Sequence, residues 1–76
     1  MVYLCKSYNI NNGQVDQYIL FNSIAQSMNW ATKHARVVVA TRDGWDTTYH
    51  VTIYDVPFEL PFDPINPGNI IRVIKP

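Results

Sequence analysis

A single cysteine, Cys5, is present in this chain of 76 residues. One thiol cannot form an internal disulfide, and a domain of this length buries only about 60% of the surface that its unfolded chain exposes. The fold must therefore be held by a hydrophobic core to which most apolar residues contribute. Hydrophobic residues make up 47% of the chain, which is enough for one globular domain over residues 1–76.

The chain begins with two alternating segments on either side of a turn. Apolar and polar positions alternate from Val2 to Ile10, and the alternation resumes from Val15 to Phe21. Between them, Asn11-Asn12-Gly13 supplies residues that tolerate the positive φ angles of a tight turn. This pattern predicts a β-hairpin.

A helix start follows at Ser23-Ile24-Ala25-Gln26. In such a capping box the Ser23 side chain caps the free amide of Gln26, and the Gln26 side chain reaches back to the cap residue. Apolar residues then recur at helical spacing and predict a stripe that covers the sheet. Its members are Ile24, Met28, Ala31 and Ala35. Trp30 and His34 lie one turn apart and flank this stripe, so we expect them at a seam or at the surface.

The remainder of the chain predicts a second hairpin, a long loop and a last strand. Residues 36–41 are rich in β-branched side chains, and Asp43-Gly44 is a turn dipeptide that precedes an alternating run. The inward face of this return strand is predicted to hold Trp45, Thr47, Tyr49, Val51 and Ile53. The outward face is predicted to hold Asp46, Thr48, His50, Thr52 and Tyr54. Prolines at positions 57, 61, 64 and 67 predict an extended loop, and residues 70–74 predict the last strand.

The resulting order is ββαβββ, so we expect a small single-helix α+β domain with an antiparallel or mixed sheet. This order resembles that of β-grasp domains such as the ubiquitin-like folds. The chain ends Lys75-Pro76, however, where a conjugated modifier has a flexible tail ending in two glycines. A covalent-tag role is therefore not expected. The alternative arrangement is one antiparallel sheet beneath the helix, which could continue into a second subunit through an exposed edge.

Few residues have the pattern of an enzyme or a cofactor site. Cys5 could pair only with His34 or His50 as nucleophile and base, and no oxyanion signature accompanies it. One cysteine and two histidines sixteen residues apart have no metal-ligand spacing, and three scattered glycines form no phosphate loop. We therefore expect a protein that is not an enzyme and that binds no metal or cofactor.

Charge and hydropathy restrict the class of partner. The formal net charge is zero, which provides no long-range field for nucleic acid or an anionic membrane. No run approaches the roughly 20 apolar residues of a membrane-spanning helix, and the first residues lack a leader pattern. Together with the lone cysteine, these features predict a soluble cytoplasmic protein with no membrane association.

Aromatic content and low charge favour a protein-binding module. Aromatic residues make up 13% of the chain and charged residues 16%. Aromatic side chains are therefore expected at the surface, where they suit a partner or a second copy of the chain. We expect an inhibitor or adaptor that acts on a larger protein, with a composition typical of small accessory proteins of bacteriophages; a homodimer is also compatible. The candidate partner-binding residues are Trp30, His34, His50, Tyr54, Phe58, Leu60 and Phe62.

Single-stranded nucleic-acid binding is the alternative function. Sheet aromatics such as Tyr49 or Tyr54 would stack on bases. The cations expected at the phosphates are Lys6, Lys33, Arg36 and Arg42. The neutral net charge places this alternative second.

The candidate aromatics also have structural interpretations. Trp30 could close the seam between helix and sheet, and the apolar residues of Phe58–Phe62 could cover the core. The threonine-rich outward face around His50 could be ordinary solvated strand surface.

Overall fold

The structure is a computed structural model that describes residues 2–38, 47–57 and 67–76. Its elements are β1 (Val2–Asn9), β2 (Val15–Phe21), α1 (Ile24–His34), β3 (Arg36–Val38), β4 (Thr47–Val56) and β5 (Asn69–Ile74). This order confirms the small α+β fold that the sequence predicts. Within these ranges, no helix has the length and apolar character needed to cross a membrane.

All five strands form one antiparallel sheet. β1 lies between β2 and β4. The other edge of β4 is shared by β3, which pairs with residues 47–49, and by β5, which pairs with residues 51–55. The last strand is therefore a neighbour of β4. The arrangement is the single antiparallel sheet that the sequence analysis gives as the alternative to a β-grasp-like fold.

The turn between β1 and β2 has the predicted chemistry. Gly13 has a φ of 76°, and its amide donates to the Asn9 carbonyl at 2.8 Å. The Asn9 side chain accepts from the Asn11 amide at 2.8 Å, and the Asn12 side chain accepts from the Gln14 amide at 2.9 Å. These bonds satisfy the loop amides locally, as asparagine side chains do in turns.

Helix α1 begins where the capping box predicts. Ser23 has an extended backbone, and its Oγ accepts from the Gln26 amide at 3.4 Å. The helix ends at His34, and the amide of the C-cap residue Ala35 donates to the Ala31 carbonyl at 2.9 Å. Lys33 and His34 occupy the last turn, where cationic or donor side chains complement the helix dipole.

The predicted apolar stripe of α1 is correct at three of its four positions. Ala31 and Ala35 are buried, and Met28 packs against the core. Ile24 was expected to cover the sheet, but it is 41% exposed. Ser27 is fully buried instead. Its hydroxyl can be buried because its Oγ donates to the Ile24 carbonyl at 2.8 Å, so the polar group has a hydrogen-bond partner inside the protein.

Each face of the sheet carries a cluster of buried residues. The cluster beneath the helix contains Cys5, Ala31, Ala35, Val51 and Ile53. The cluster on the opposite face contains Leu4, Tyr54 and Val56, with Leu20 packed against it. The inward placement of Val51 and Ile53 is confirmed. The interpretation of the outward face as solvated strand surface is wrong at its centre, where Thr52 is 3% and Tyr54 6% exposed. Tyr54 is buried because Leu4 of β1 and Leu20 of β2 pack beside it.

The proline-punctuated connection is described only at its ends. Pro57 is exposed after β4, and Pro67 is buried before β5. The candidate residues Phe58, Leu60 and Phe62 lie outside the described residues, as do Trp45 and the Asp43-Gly44 turn.

Candidate functional site

The two helix residues predicted as a binding pair are in direct contact. The rings of Trp30 and His34 stack with centroids 3.9 Å apart and an interplanar angle of 12°. The Nδ1 atom of His34 lies 2.9 Å from the Trp30 carbonyl oxygen. A carbonyl oxygen only accepts, so we assign the proton of this contact to Nδ1. The imidazole is thus held by its ring face and by one nitrogen.

Trp30 also contacts the end of β2. Its ring centroid lies 6.2 Å from that of Phe21, with the planes tilted by 53°. Trp30 is half-buried and packs against the core cluster beneath the helix. It therefore closes the seam between α1 and β2, as the structural interpretation predicts, and keeps part of its ring at the surface.

An open depression lies beside this pair and has a volume of about 300 Å³. Its lining residues are Phe21, Gln26, Asn29, Trp30 and Lys33. We call it the helix–β2 depression. It combines two aromatic rings with two side-chain amides, which donate and accept, and one ammonium group, which only donates.

Sequence reasoning identified Trp30 in this lining but missed Phe21, Gln26 and Asn29 as site residues. Lys33 was considered only as a phosphate contact. The four helical lining residues stand at i, i+3, i+4 and i+7, a spacing that places them on one helix face. The sequence alone could therefore have predicted that these four residues form one surface. The contribution of Phe21 depends on how β2 packs against α1, which the periodicity of neither element reveals.

His50 and Tyr54 lie on the opposite face of the sheet from the helix. His50 is half-buried, with its ring centroid 6.1 Å from that of Tyr8 in an edge contact at 75°. The Nζ atom of Lys6 lies 5.5 Å from the Tyr8 ring centroid and 5.6 Å from the Tyr54 ring centroid. These side chains form one row, but Tyr54 has little exposed surface, so we leave it out of the candidate partner surface.

Cys5 lies in the core beneath the helix. Its Sγ is 3.7 Å from the Ser27 carbonyl oxygen, and burial raises the pKa of the thiol from 9.0 to about 11. At neutral pH the group is a thiol, whereas nucleophilic attack requires a thiolate. Strand alternation directs His50 to the other face of the sheet, so the two residues do not form a nucleophile and base pair.

Two of the cations considered for nucleic-acid binding, Lys6 and Arg36, lie on opposite faces of the sheet. Arg36 lies 4.2 Å from the Tyr49 ring centroid, pairs with Asp16 at 3.4 Å and donates to the His34 carbonyl at 3.0 Å. Lys6 points to the other face of the sheet. Arg42 lies outside the described residues. Within residues 2–38, 47–57 and 67–76, no group of three or more histidine, cysteine or acidic side chains could hold a metal ion.

The sequence matches no protein-family model, and neither a curated protein nor a solved structure is significantly similar to it. Functional inference therefore rests on the geometry of the chain itself. In the part of the chain that the structure describes, the helix–β2 depression brings aromatic, amide and cationic side chains together at the surface.

Proposed function

We propose that this protein is a small non-enzymatic binding module, of the inhibitor or adaptor type, that contacts a larger protein through the helix–β2 depression. The observation that supports this most directly is the fixed position of Trp30 between His34 and Phe21 beside an open depression. A side chain that is already ordered loses little conformational entropy on binding. Tryptophan is also enriched among the residues that contribute most to protein interfaces.

The composition of the depression fits a protein side chain. Its lining combines the aromatic residues Phe21 and Trp30 with three polar residues, Gln26, Asn29 and Lys33. Protein interfaces also combine aromatic anchors with polar side chains. Its volume of about 300 Å³ is at the lower end of small-molecule sites, which range over roughly 300–1,000 Å³. The depression is therefore better suited to one or two side chains of a partner than to a large cofactor.

The position of Cys5 supports the non-enzymatic part of the proposal. The thiol is buried and protonated at neutral pH, and it lies on a different face of the sheet from His50. No catalytic role is needed to explain either residue: Cys5 fills the core, and His50 packs its ring edge against Tyr8.

The proposal is tested by affinity capture from a lysate of the native source with three tagged proteins. These are the wild type, Asn29→Arg and a control, Thr32→Arg. Asn29 and Thr32 are both exposed on α1, but only Asn29 lines the depression. We expect the wild type and Thr32→Arg to retain the same partner and Asn29→Arg to lose it. Equal retention by all three proteins would overturn the proposal.

Self-association is examined by light scattering on a sizing column with the same proteins. We expect the isolated wild type to be a monomer and to form a larger defined complex with the captured partner. A wild-type dimer that Asn29→Arg converts into a monomer would assign the depression to a second copy of the chain. That result would contradict the inhibitor or adaptor role.

A further inference from the structure

The turn between β1 and β2 contains the dipeptide Asn12-Gly13, in which an asparagine side chain is followed by a glycine amide. Both residues are exposed, and a Cβ added to Gly13 would meet no atom of the described residues within 4 Å. Glycine has no side chain that hinders the approach of its own nitrogen to a neighbouring group. The dipeptide is therefore open to water, and no side chain shields the Gly13 nitrogen from the carboxamide of Asn12.

Hydrogen bonds hold this dipeptide in a closed turn. The Gly13 amide donates to the Asn9 carbonyl at 2.8 Å, and the Asn12 side chain accepts from the Gln14 amide at 2.9 Å. The Asn9 amide donates to the Gln14 carbonyl at 2.9 Å and closes the hairpin around both groups. In the closed turn, the nitrogen of Gly13 and the carboxamide of Asn12 are thus each bonded to a third residue, and Gly13 is held at a φ of 76°.

We infer that Asn12 is a site of spontaneous deamidation and that the closed turn suppresses the reaction. The Gly13 nitrogen loses its proton and bonds to the Cγ atom of Asn12. The bond from Cγ to the side-chain nitrogen breaks, and ammonia leaves with that proton, so that a five-membered succinimide remains. Water then adds to one of the two ring carbonyls and opens the ring, which leaves aspartate or isoaspartate at position 12. Water is the co-reactant, and the exposed turn admits it.

The hydrogen bonds of the turn oppose the first step. A carbonyl acceptor stabilises the N–H form of the Gly13 amide, whereas attack requires the nitrogen without its proton. Ring closure also brings that nitrogen to bonding distance from Cγ, a movement that the bonds to Asn9 and Gln14 restrict. Loss of two such bonds corresponds to a reaction about tenfold or more slower in the closed turn than in an open chain. Conversion at Asn12 therefore records the time that the turn spends open.

The two products differ in their effect on the hairpin. Aspartate keeps a side-chain oxygen that accepts from the Gln14 amide, as the oxygen of Asn12 does. Isoaspartate directs the backbone through the former side chain, which adds one carbon atom to the chain between positions 12 and 13. The added atom displaces the Gly13 amide from the Asn9 carbonyl, so the same turn cannot close. A chain that opens and forms isoaspartate therefore keeps a weakened β1–β2 hairpin.

The test incubates the full chain at pH 8, folded in buffer and unfolded in guanidinium chloride. Tryptic digestion and fragmentation mass spectrometry locate the conversion, and a sample taken at zero time corrects for conversion during digestion. Asn22 and Asn29, which precede residues with side chains, are controls in the same tryptic peptide. In the unfolded chain, we expect Asn12 to convert about tenfold or more faster than either control. Folding should slow the conversion of Asn12 by about tenfold or more.

Two variants test the chemistry and its effect on the fold. Asn12→Gln lengthens the side chain, so the five-membered ring cannot form and no conversion is expected at position 12. The isoaspartate form of the aged protein is separated by reversed-phase chromatography, and its urea unfolding is compared with that of Asn12→Asp. We expect Asn12→Asp to unfold as the wild type does. The isoaspartate form should have an equilibrium constant of unfolding about tenfold or more higher.

Each part of the inference has an outcome that overturns it. Absence of conversion at position 12 in both states, or equal conversion of Asn22 or Asn29, would overturn the site. Equal rates in the folded and unfolded chains would overturn the protection by the turn. An isoaspartate form as stable as Asn12→Asp would overturn the weakening of the hairpin. These measurements need no partner, so the proposed function is tested independently of them.

Discussion

The imidazole of His34 stacks on the indole of Trp30 at a centroid distance of 3.9 Å, while its Nδ1 atom lies 2.9 Å from the Trp30 carbonyl oxygen. One histidine therefore restrains both the ring and the backbone of a residue that lines the helix–β2 depression. Phe21 contacts the indole as well. The surface part of Trp30 is thus ordered before any partner binds.

Replacing His34 with alanine should loosen this arrangement without abolishing the fold. We expect the free energy of unfolding to fall by about 1 kcal/mol, the size of an aromatic pair contact. A Trp45→Phe background leaves Trp30 as the sole tryptophan, and its emission should shift to the red. Urea unfolding and fluorescence measure the two effects. A Thr32→Ala control should leave the emission unchanged, and an unchanged emission in His34→Ala would show that the stack does not restrain Trp30.

The two described glycines near turns should respond differently to alanine. A Cβ at Gly68 would overlap the carbonyl oxygen of Asp55 in β4, and that backbone atom cannot move without disturbing the pairing of β5. A Cβ at Gly13 would meet open space, and only its φ of 76° opposes the substitution.

We therefore expect Gly68→Ala to reduce the free energy of unfolding by about 2–3 kcal/mol and Gly13→Ala by about 1 kcal/mol. Both values are obtained from urea titrations at one temperature. A smaller loss for Gly68→Ala than for Gly13→Ala would contradict the close approach of Gly68 to β4.

Helix α1 offers a direct test of which positions face the sheet. Ile24 is 41% exposed, whereas Ser27 is fully buried. Replacing Ile24 with serine should change the free energy of unfolding by less than about 0.5 kcal/mol. Replacing Ser27 with leucine should cost about 2–3 kcal/mol, because added methylene groups have no space in a packed core. A larger loss of stability for Ile24→Ser than for Ser27→Leu, in thermal or urea unfolding, would show that Ile24 faces the sheet, as the sequence predicts.

The helix shows what the sequence could and could not predict. The capping signal of Ser23 and Gln26 located α1, alternation located β1, β2 and β4, and β-branched or apolar runs located β3 and β5. The apolar periodicity placed Ile24 in the core and left Ser27 out, because the periodicity considers only apolar residues. A serine hydroxyl can be buried when it donates to a carbonyl of its own helix, as that of Ser27 does. Hydropathy alternation also missed the burial of Tyr54, which depends on the packing of residues from neighbouring strands.

The candidate site was only partly predictable for the same reason. Trp30 and His34 could be paired from their spacing on the helix. Phe21 joins them only because the end of β2 lies beside α1 in three dimensions. Local pattern therefore indicates which residues share a face, while tertiary packing decides which faces meet.

Burial of Cys5 predicts a change of stability at alkaline pH. The pKa of the folded thiol is raised from 9.0 to about 11. Between these values the unfolded chain loses the proton while the folded chain keeps it, so this contribution to stability is complete below pH 9 and is lost as the pH rises towards 11.

The contribution of Cys5 is isolated by comparing the wild type with Cys5→Ala, because every other titratable group is common to the two proteins. The free energy of unfolding of the wild type should fall relative to that of Cys5→Ala from pH 8 to pH 10.5 in urea titrations. Iodoacetamide at pH 8 should label the folded protein far more slowly than the urea-unfolded chain. A constant difference between the proteins, or rapid labelling of the folded state, would contradict the burial of the thiol.

The most direct test of the binding site is photo-crosslinking in a lysate of the native source, with a benzophenone amino acid placed at position 29 or, in a matched variant, at position 32. Both positions are exposed on α1, and only position 29 lines the helix–β2 depression. We predict one defined crosslinked partner from position 29 and none from position 32. An equal yield from the two positions, or a product from position 32 alone, would contradict the assignment of the depression as the partner-binding site.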